Sequence, residues 1–207
     1  GYADKIDRNG LPDPLNGSFG IQAQALDLLT GTLIWQWRSP YAEPIADINT
    51  TPAQPALMDR DGDGLCEYLV FGDMAGRLWV IDAATGTAPG GGPAFTTEGG
   101  ATQPIGAGVA IHGRVAIFGT GGAEHADDQA GQVIQAVEIT PTGGQLLWTY
   151  FLDPGEKVWS TPAIDRLGRI YFAASAGFLP GEEEAWALSR GRLIVLDLSL
   201  IHISEPT

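Results

Sequence analysis

The chain has 207 residues, 25 of them Asp or Glu against 11 Lys or Arg, for a net charge of −14. That balance excludes phosphate-neutralising surfaces of the kind that bind nucleic acid or anionic membranes, because such binding depends on Lys and Arg clusters. With 44% hydrophobic residues, 29 Gly and 14 Pro, the composition is that of a folded, turn-rich β protein rather than a disordered one.

In chain order, the first recognisable element is Leu26-Asp27-Leu28-Leu29-Thr30-Gly31, followed by a strand ending in Trp, Thr32 to Trp35. Next comes Gln54-Pro55-Ala56-Leu57-Met58, which leads into Asp59-Arg60-Asp61-Gly62-Asp63-Gly64-Leu65-Cys66-Glu67. Those nine residues place carboxylates at loop positions 1, 3, 5 and 9, with glycines where the chain must turn. Alternating Asp residues in a tight turn aim their oxygens at one point, the cage a hard cation requires. The loop is not an EF-hand, because position 12 is Val70 and Glu67 must close the shell. Calcium is the ion expected, held by the side chains of Asp59, Asp61, Asp63 and Glu67 and the carbonyl of Leu65. Mg²⁺ would demand a rigid octahedron instead. The competing reading is an acidic turn that uses Asp and Gly for their turn propensities. Cys66 at position 8 is expected to point inward as a small buried hydrophobe.

Tyr68 to Phe71 and Gly76 to Asp82 read as two strands across a short turn, so the acidic loop joins strands. Ile81-Asp82-Ala83-Ala84-Thr85-Gly86 then repeats the first motif. Gln103-Pro104-Ile105 is read as a looser copy of Gln54-Pro55-Ala56, and Thr161-Pro162-Ala163-Ile164-Asp165 as a closer one. Val137-Glu138 to Gly143 and Leu196-Asp197 supply two further copies of the Asp motif. The acidic positions 27, 82, 138 and 197 are thus 55, 56 and 59 residues apart. Each unit offers about four short strands, and no segment reads as a long amphipathic helix. An all-β fold follows, a β-propeller in partial ring of three to four blades, at about 1–50, 51–100, 101–155 and 156–197.

The links Gly119–Gly131 (with His125, Asp127 and Asp128) and Ser175–Arg190 (with Glu182, Glu183 and Glu184) read as solvated, variable loops on one acidic rim. His112 and His125 are read as isolated turn or surface residues. Trp35, Trp79, Trp148 and Trp159 are read as aromatics packed between blades. No Ser/His/Asp set or paired carboxylates suggest hydrolytic chemistry. Leu198–Thr207 reads as the translation of a sequencing-library adapter, and the chain as a piece of a larger protein.

Gly1-Tyr2, the loop Asp59–Glu67 with its Gly72-Asp73 and Gly76-Arg77-Leu78-Trp79 hairpin, Gln103-Pro104-Ile105, and Phe118-Gly119-Thr120-Gly121 resemble, in order and spacing, the C-terminal β-propeller of the PilC/PilY family of type IV pilus biogenesis and tip adhesin proteins. The chain departs from that pattern at Glu67, where Asp is usual, and after Gly121, where a basic-aromatic pair is common. The resemblance implies a non-enzymatic, calcium-regulated propeller secreted to the surface of a Gram-negative bacterium. Its implied partners are pilus components such as minor pilins, with host or surface ligands. Two rival functions use similar blades. One is a quinone (PQQ)-dependent dehydrogenase, which needs a central metal-quinone site, an Asp base and commonly a vicinal Cys pair, whereas this chain has one Cys. The other is a scaffold propeller of envelope assembly.

Overall fold

The computed structural model describes residues 21–41, 51–121, 131–176 and 191–197. They form four antiparallel sheets in chain order. The first pairs β1 (Gln22–Leu26) with β2 (Leu33–Arg38). The second runs β3 (Ala56–Met58), β4 (Tyr68–Gly72), β5 (Arg77–Asp82), β6 (Phe95–Thr96). The third runs β7 (Ala110–His112), β8 (Val115–Gly119), β9 (Val133–Thr140), β10 (Gly143–Phe151). In the fourth, β13 (Arg169–Ala176) is central. It pairs with β14 (Gly191–Asp197) on one side and with β11 (Glu156–Val158) and β12 (Ala163–Ile164) on the other. The one helical piece among the described residues is a single 3₁₀ turn, Gly100–Thr102, and no helix there is long and apolar enough to cross a membrane.

The sheets stack face to face, and the period-2 alternation of each strand decides which neighbour a residue meets. In the second sheet Val70, Leu78 and Val80 face the third, where Ala116, Phe118, Val137 and Ile139 receive them. Phe71, Trp79 and Ile81 face the first sheet and meet Ile21 and Trp37. Ile117, Ile134 and Ala136 of the third sheet pack on Ile170, Phe172, Ala174 and Ile194 of the fourth. A sheet covered on both faces reads as a continuous apolar run, which is why β9 lacks the alternation of a half-exposed strand.

The repeat is visible in register. Asp82 lies opposite Tyr68, Glu138 opposite Val115, and Asp197 opposite Arg169, in each case the first residue of the preceding strand. A second repeat is a stitch between sheets. A Cβ at Gly72 would lie 2.1 Å from Ile105 Cγ2, and one at Gly119 would lie 2.5 Å from Val158 Cβ. The backbone closes the same contacts, with Ile105 N–H donating to Asp73 O at 2.9 Å and Val158 N–H to Thr120 O at 3.0 Å.

This stitch corrects the alignment of Gln103-Pro104-Ile105. Ile105 corresponds to Val158, whereas Ala56, Ala110 and Ala163 are the true equivalents, each paired two residues into the next strand. Pro-flanked apolar segments look alike in sequence, and only the pairing separates them. Cys66 is exposed, contrary to expectation, because the acidic loop projects from the sheet. Trp79 is fully buried, whereas Trp159 is 47% exposed, beside Ala173 and Leu193 of the fourth sheet. His112 is exposed at the end of β7. Gly1-Tyr2, His125, Asp127, Asp128, Glu182, Glu183, Glu184 and Leu198–Thr207 lie outside the described residues.

Candidate metal centre

The acidic loop fills the β3–β4 link, and its ends are fixed by the sheet. Glu67 N–H donates to Met58 O at 3.0 Å, and Ala83 N–H donates to Glu67 O at 2.7 Å. Between those anchors each carboxylate folds the chain around itself. Asp59 accepts from Gly62 N–H at 2.7 Å through Oδ1 and from Gly64 N–H at 2.9 Å through Oδ2. Asp61 accepts from Asp63 N–H at 3.2 Å, Asp63 from Leu65 N–H at 2.8 Å, and Glu67 Oε2 from Arg60 N–H at 2.6 Å. Gly62 and Gly64 have φ of 80° and 90°, the left-handed region in which a side chain is strained.

The result is that one oxygen from each of Asp59, Asp61, Asp63 and Glu67 lies within 4.8 Å of the other three. Asp59 and Glu67 are half-buried at the base, while Asp61 and Asp63 are exposed at the rim. Oxygens on opposite sides of a calcium ion stand about 4.6–5.2 Å apart, twice its bond length, against about 4.0–4.2 Å for magnesium. The four oxygens are therefore close enough together to share one hard cation. Leu65, the fifth residue expected from sequence, is 70% exposed, and its N–H donates to Asp63 Oδ1 at 2.8 Å.

Charge compensation distinguishes this loop from its counterparts. No Lys or Arg among the described residues forms an ion pair with the four carboxylates. Ionised neighbours at such separations repel by roughly 3 kcal/mol per pair at an effective dielectric near 20, less where water screens them. In the third sheet the same link is the Gly113-Arg114 turn. In the fourth it is Asp165–Gly168, and there one carboxylate meets a full set of donors. Asp165 accepts from the N–H groups of Arg169 and Leu167 at 3.0 and 2.8 Å, from Arg169 Nε at 2.7 Å and from the Tyr171 hydroxyl at 3.0 Å. The Arg169 N–H above all, with the Arg169 guanidinium and Tyr171, outweighs partial burial and holds the Asp165 carboxyl down at about 2. That link is self-sufficient, whereas the 59–67 loop concentrates four carboxylates with backbone donors alone.

One residue of structural weight is not evident from the motif. Asp73, fully buried, accepts from Ala75 N–H and Arg77 N–H at 2.9 Å each and from Trp79 Nε1 at 2.8 Å. The Asp-x-x-Gly spacing of Asp73 and Gly76 marks a turn, but that the carboxylate also holds a core indole depends on tertiary packing.

No protein-family model and no curated protein matches the chain. Solved structures do resemble it. The quinohemoprotein alcohol dehydrogenase of Comamonas testosteroni superposes with a TM-score of 0.51 at 21% identity, over 74% of this chain and 26% of that one. A europium-containing methanol dehydrogenase gives 0.50 at 14% identity, over 75% and 32%. The fold is that of a β-propeller. The C-terminal domain of Pseudomonas aeruginosa PilY1 gives 0.48 at 16% identity, over 72% of this chain and 50% of that domain. The chain thus spans about half the length of that domain and a smaller share of the dehydrogenases, and at these identities the likeness is one of fold alone.

Proposed function

We propose that the chain is a calcium-binding, non-catalytic propeller segment of a type IV pilus assembly or adhesion protein of the PilC/PilY kind. The observation that carries this reading is the convergence of Asp59, Asp61, Asp63 and Glu67 within one turn, where no Lys or Arg among the described residues forms an ion pair with them. The ordered motifs from Asp59 to Gly121 that resemble this family give it its biological context. Side-chain oxygens of those four residues, with the Leu65 carbonyl, would hold the ion, and its charge would offset their mutual repulsion. Without the ion, repulsion among the carboxylates favours a wider loop, while the Gly62 and Gly64 turns and the anchors at Met58 and Ala83 limit how far it opens. Two loop shapes of different ion affinity are what a switch requires. In this reading the loop shape sets how the propeller engages minor pilins or surface ligands at the cell exterior. All candidate ligands come from one turn, an arrangement suited to structure rather than turnover.

The rival with a specific observation in its favour is a quinone-dependent dehydrogenase, since a quinohemoprotein alcohol dehydrogenase superposes on this fold. It would require a metal-quinone site, and the carboxylate group found among the described residues sits in a strand-joining loop instead. The parent protein in its own cell separates the two. Asp59→Ala with Asp63→Ala should alter surface piliation or twitching motility at normal protein abundance. Wild-type piliation and motility in that variant, or alcohol oxidation by the purified protein with added quinone, would overturn the pilus reading.

A further inference from the structure

Trp35 belongs to the first sheet, yet its indole reaches the turn that follows β5 in the second. Its Nε1–H donates to Ala83 O at 2.8 Å. Ala83 N–H in turn donates to Glu67 O at 2.7 Å, and Glu67 Oε2 accepts Arg60 N–H inside the acidic loop. Two consecutive hydrogen bonds therefore connect an aromatic of one sheet to the backbone of the residue that closes the loop on the next, and a third joins that residue's carboxylate to Arg60. The contact has little slack. The Trp35 ring lies over Gly86, where a Cβ would stand 2.6 Å from it. The Ala83 carbonyl belongs to a peptide whose other end, Ala84 N–H, is held by Asp82 at 3.0 Å.

We propose that Trp35 is a positioning residue for the ion loop: through Ala83 it fixes the backbone of Glu67, so that ion binding and the contact between the first two sheets strengthen each other. This rests on the calcium reading above. The third sheet supplies an internal comparison. Trp148 lies opposite Ala136, two residues before Glu138, as Trp35 lies opposite Ala25, two before Asp27. Trp148 Nε1 is buried without a hydrogen-bond partner among the described residues, and the position that matches Ala83 there, residue 198, lies outside them. The two tryptophans share a register position, and only Trp35 is bonded toward the loop. Binding linkage is reciprocal, so whatever factor Trp35 adds to calcium affinity, calcium adds to the Trp35 contact.

The test is calcium titration by calorimetry of the full 207-residue chain, unmodified and as Trp35→Phe and Trp148→Phe. Phe keeps an aromatic ring and removes the donor. Loss of one such hydrogen bond should weaken calcium binding roughly three- to tenfold in Trp35→Phe, and Trp148→Phe should bind as the unmodified chain does. In the unmodified chain, calcium should slow hydrogen exchange of the Trp35 indole N–H, read by NMR, and that readout decides the matter if Trp35→Phe fails to fold. Equal affinity in a folded Trp35→Phe, or indole exchange that calcium leaves unchanged, would overturn the role of Trp35 while leaving calcium binding intact. No binding by the unmodified chain would overturn both.

Discussion

Asp73 sits fully buried at the β4–β5 turn, and its two oxygens are shared between the backbone donors of Ala75 and Arg77 and the indole of Trp79. Truncation would orphan a buried indole donor and unpin the turn at once. Asp73→Ala is expected to destabilise the chain by about 2–4 kcal/mol, and Asp73→Asn by less, since one acceptor oxygen remains. Urea unfolding checks this, and an Asp73→Ala midpoint equal to that of the parent chain would refute the assignment. Asp165 gives a pH-dependent prediction. Its folded carboxyl is held at about 2 against an ordinary 3.8, chiefly by Arg169 N–H. A depressed folded value means stability that is present above the unfolded value and lost as pH falls through the folded one. The stability gap between the parent chain and Asp165→Asn should therefore narrow from about pH 4 and close near pH 2. A gap unchanged at pH 2 would show that the carboxylate form is not what matters.

At the scale of elements, two turns follow one recipe. Asp27 accepts from Leu29 N–H, Thr30 N–H and Thr30 Oγ1, and Asp82 from Ala84 N–H, Thr85 N–H and Thr85 Oγ1, all at 2.7–3.1 Å. Gly31 and Gly86 both have φ of 69°. Burial opposes ionisation of Asp82, yet the Thr85 and Ala84 donors prevail and keep its carboxyl below the ordinary value. Only Gly86 has an aromatic ring against it, because a Cβ at Gly31 meets nothing within 4 Å. Gly31→Ala should thus cost about 1–2 kcal/mol for the left-handed backbone alone, and Gly86→Ala a further 1–3 kcal/mol or so for displacing Trp35. Equal thermal shifts in the two variants would mean that the Trp35 contact carries no weight. These turns were legible in the sequence because Asx-turn chemistry is local. The third copy was half legible. Glu138 keeps the register, but its longer side chain reaches Arg114 at 3.8 Å, and β9 passes to β10 through a tight turn at Pro141-Thr142. The acidic loop was legible as a motif for the same local reason, whereas its tie to Trp35 joins residues 48 apart and left no trace in spacing.

For the whole molecule, the stacking order fixes which faces are satisfied. Ile134 and Ala136, four and two residues before Glu138, are buried against the fourth sheet. Leu193 and Val195, at the same positions before Asp197, are 67% and 50% exposed. The 55- to 59-residue repeat made the series of sheets readable, but which aromatics are covered depends on neighbours, as the half-exposed Trp159 shows. An apolar face of this kind favours association. Leu193→Glu with Val195→Thr should reduce concentration-dependent self-association in sedimentation without lowering the unfolding midpoint; unchanged sedimentation would show that this face is not adhesive. The central claim is that the Asp59–Glu67 loop is a calcium site, and calorimetric titration of the chelator-stripped chain tests it most directly. The account predicts one calcium ion per chain, lost in Asp61→Ala and retained in Glu98→Ala, whose exposed carboxylate lies outside the loop. At calcium a thousandfold above the dissociation constant, binding should stabilise the fold by about 4 kcal/mol. No binding by the unmodified chain, or equal binding by Asp61→Ala, would contradict it.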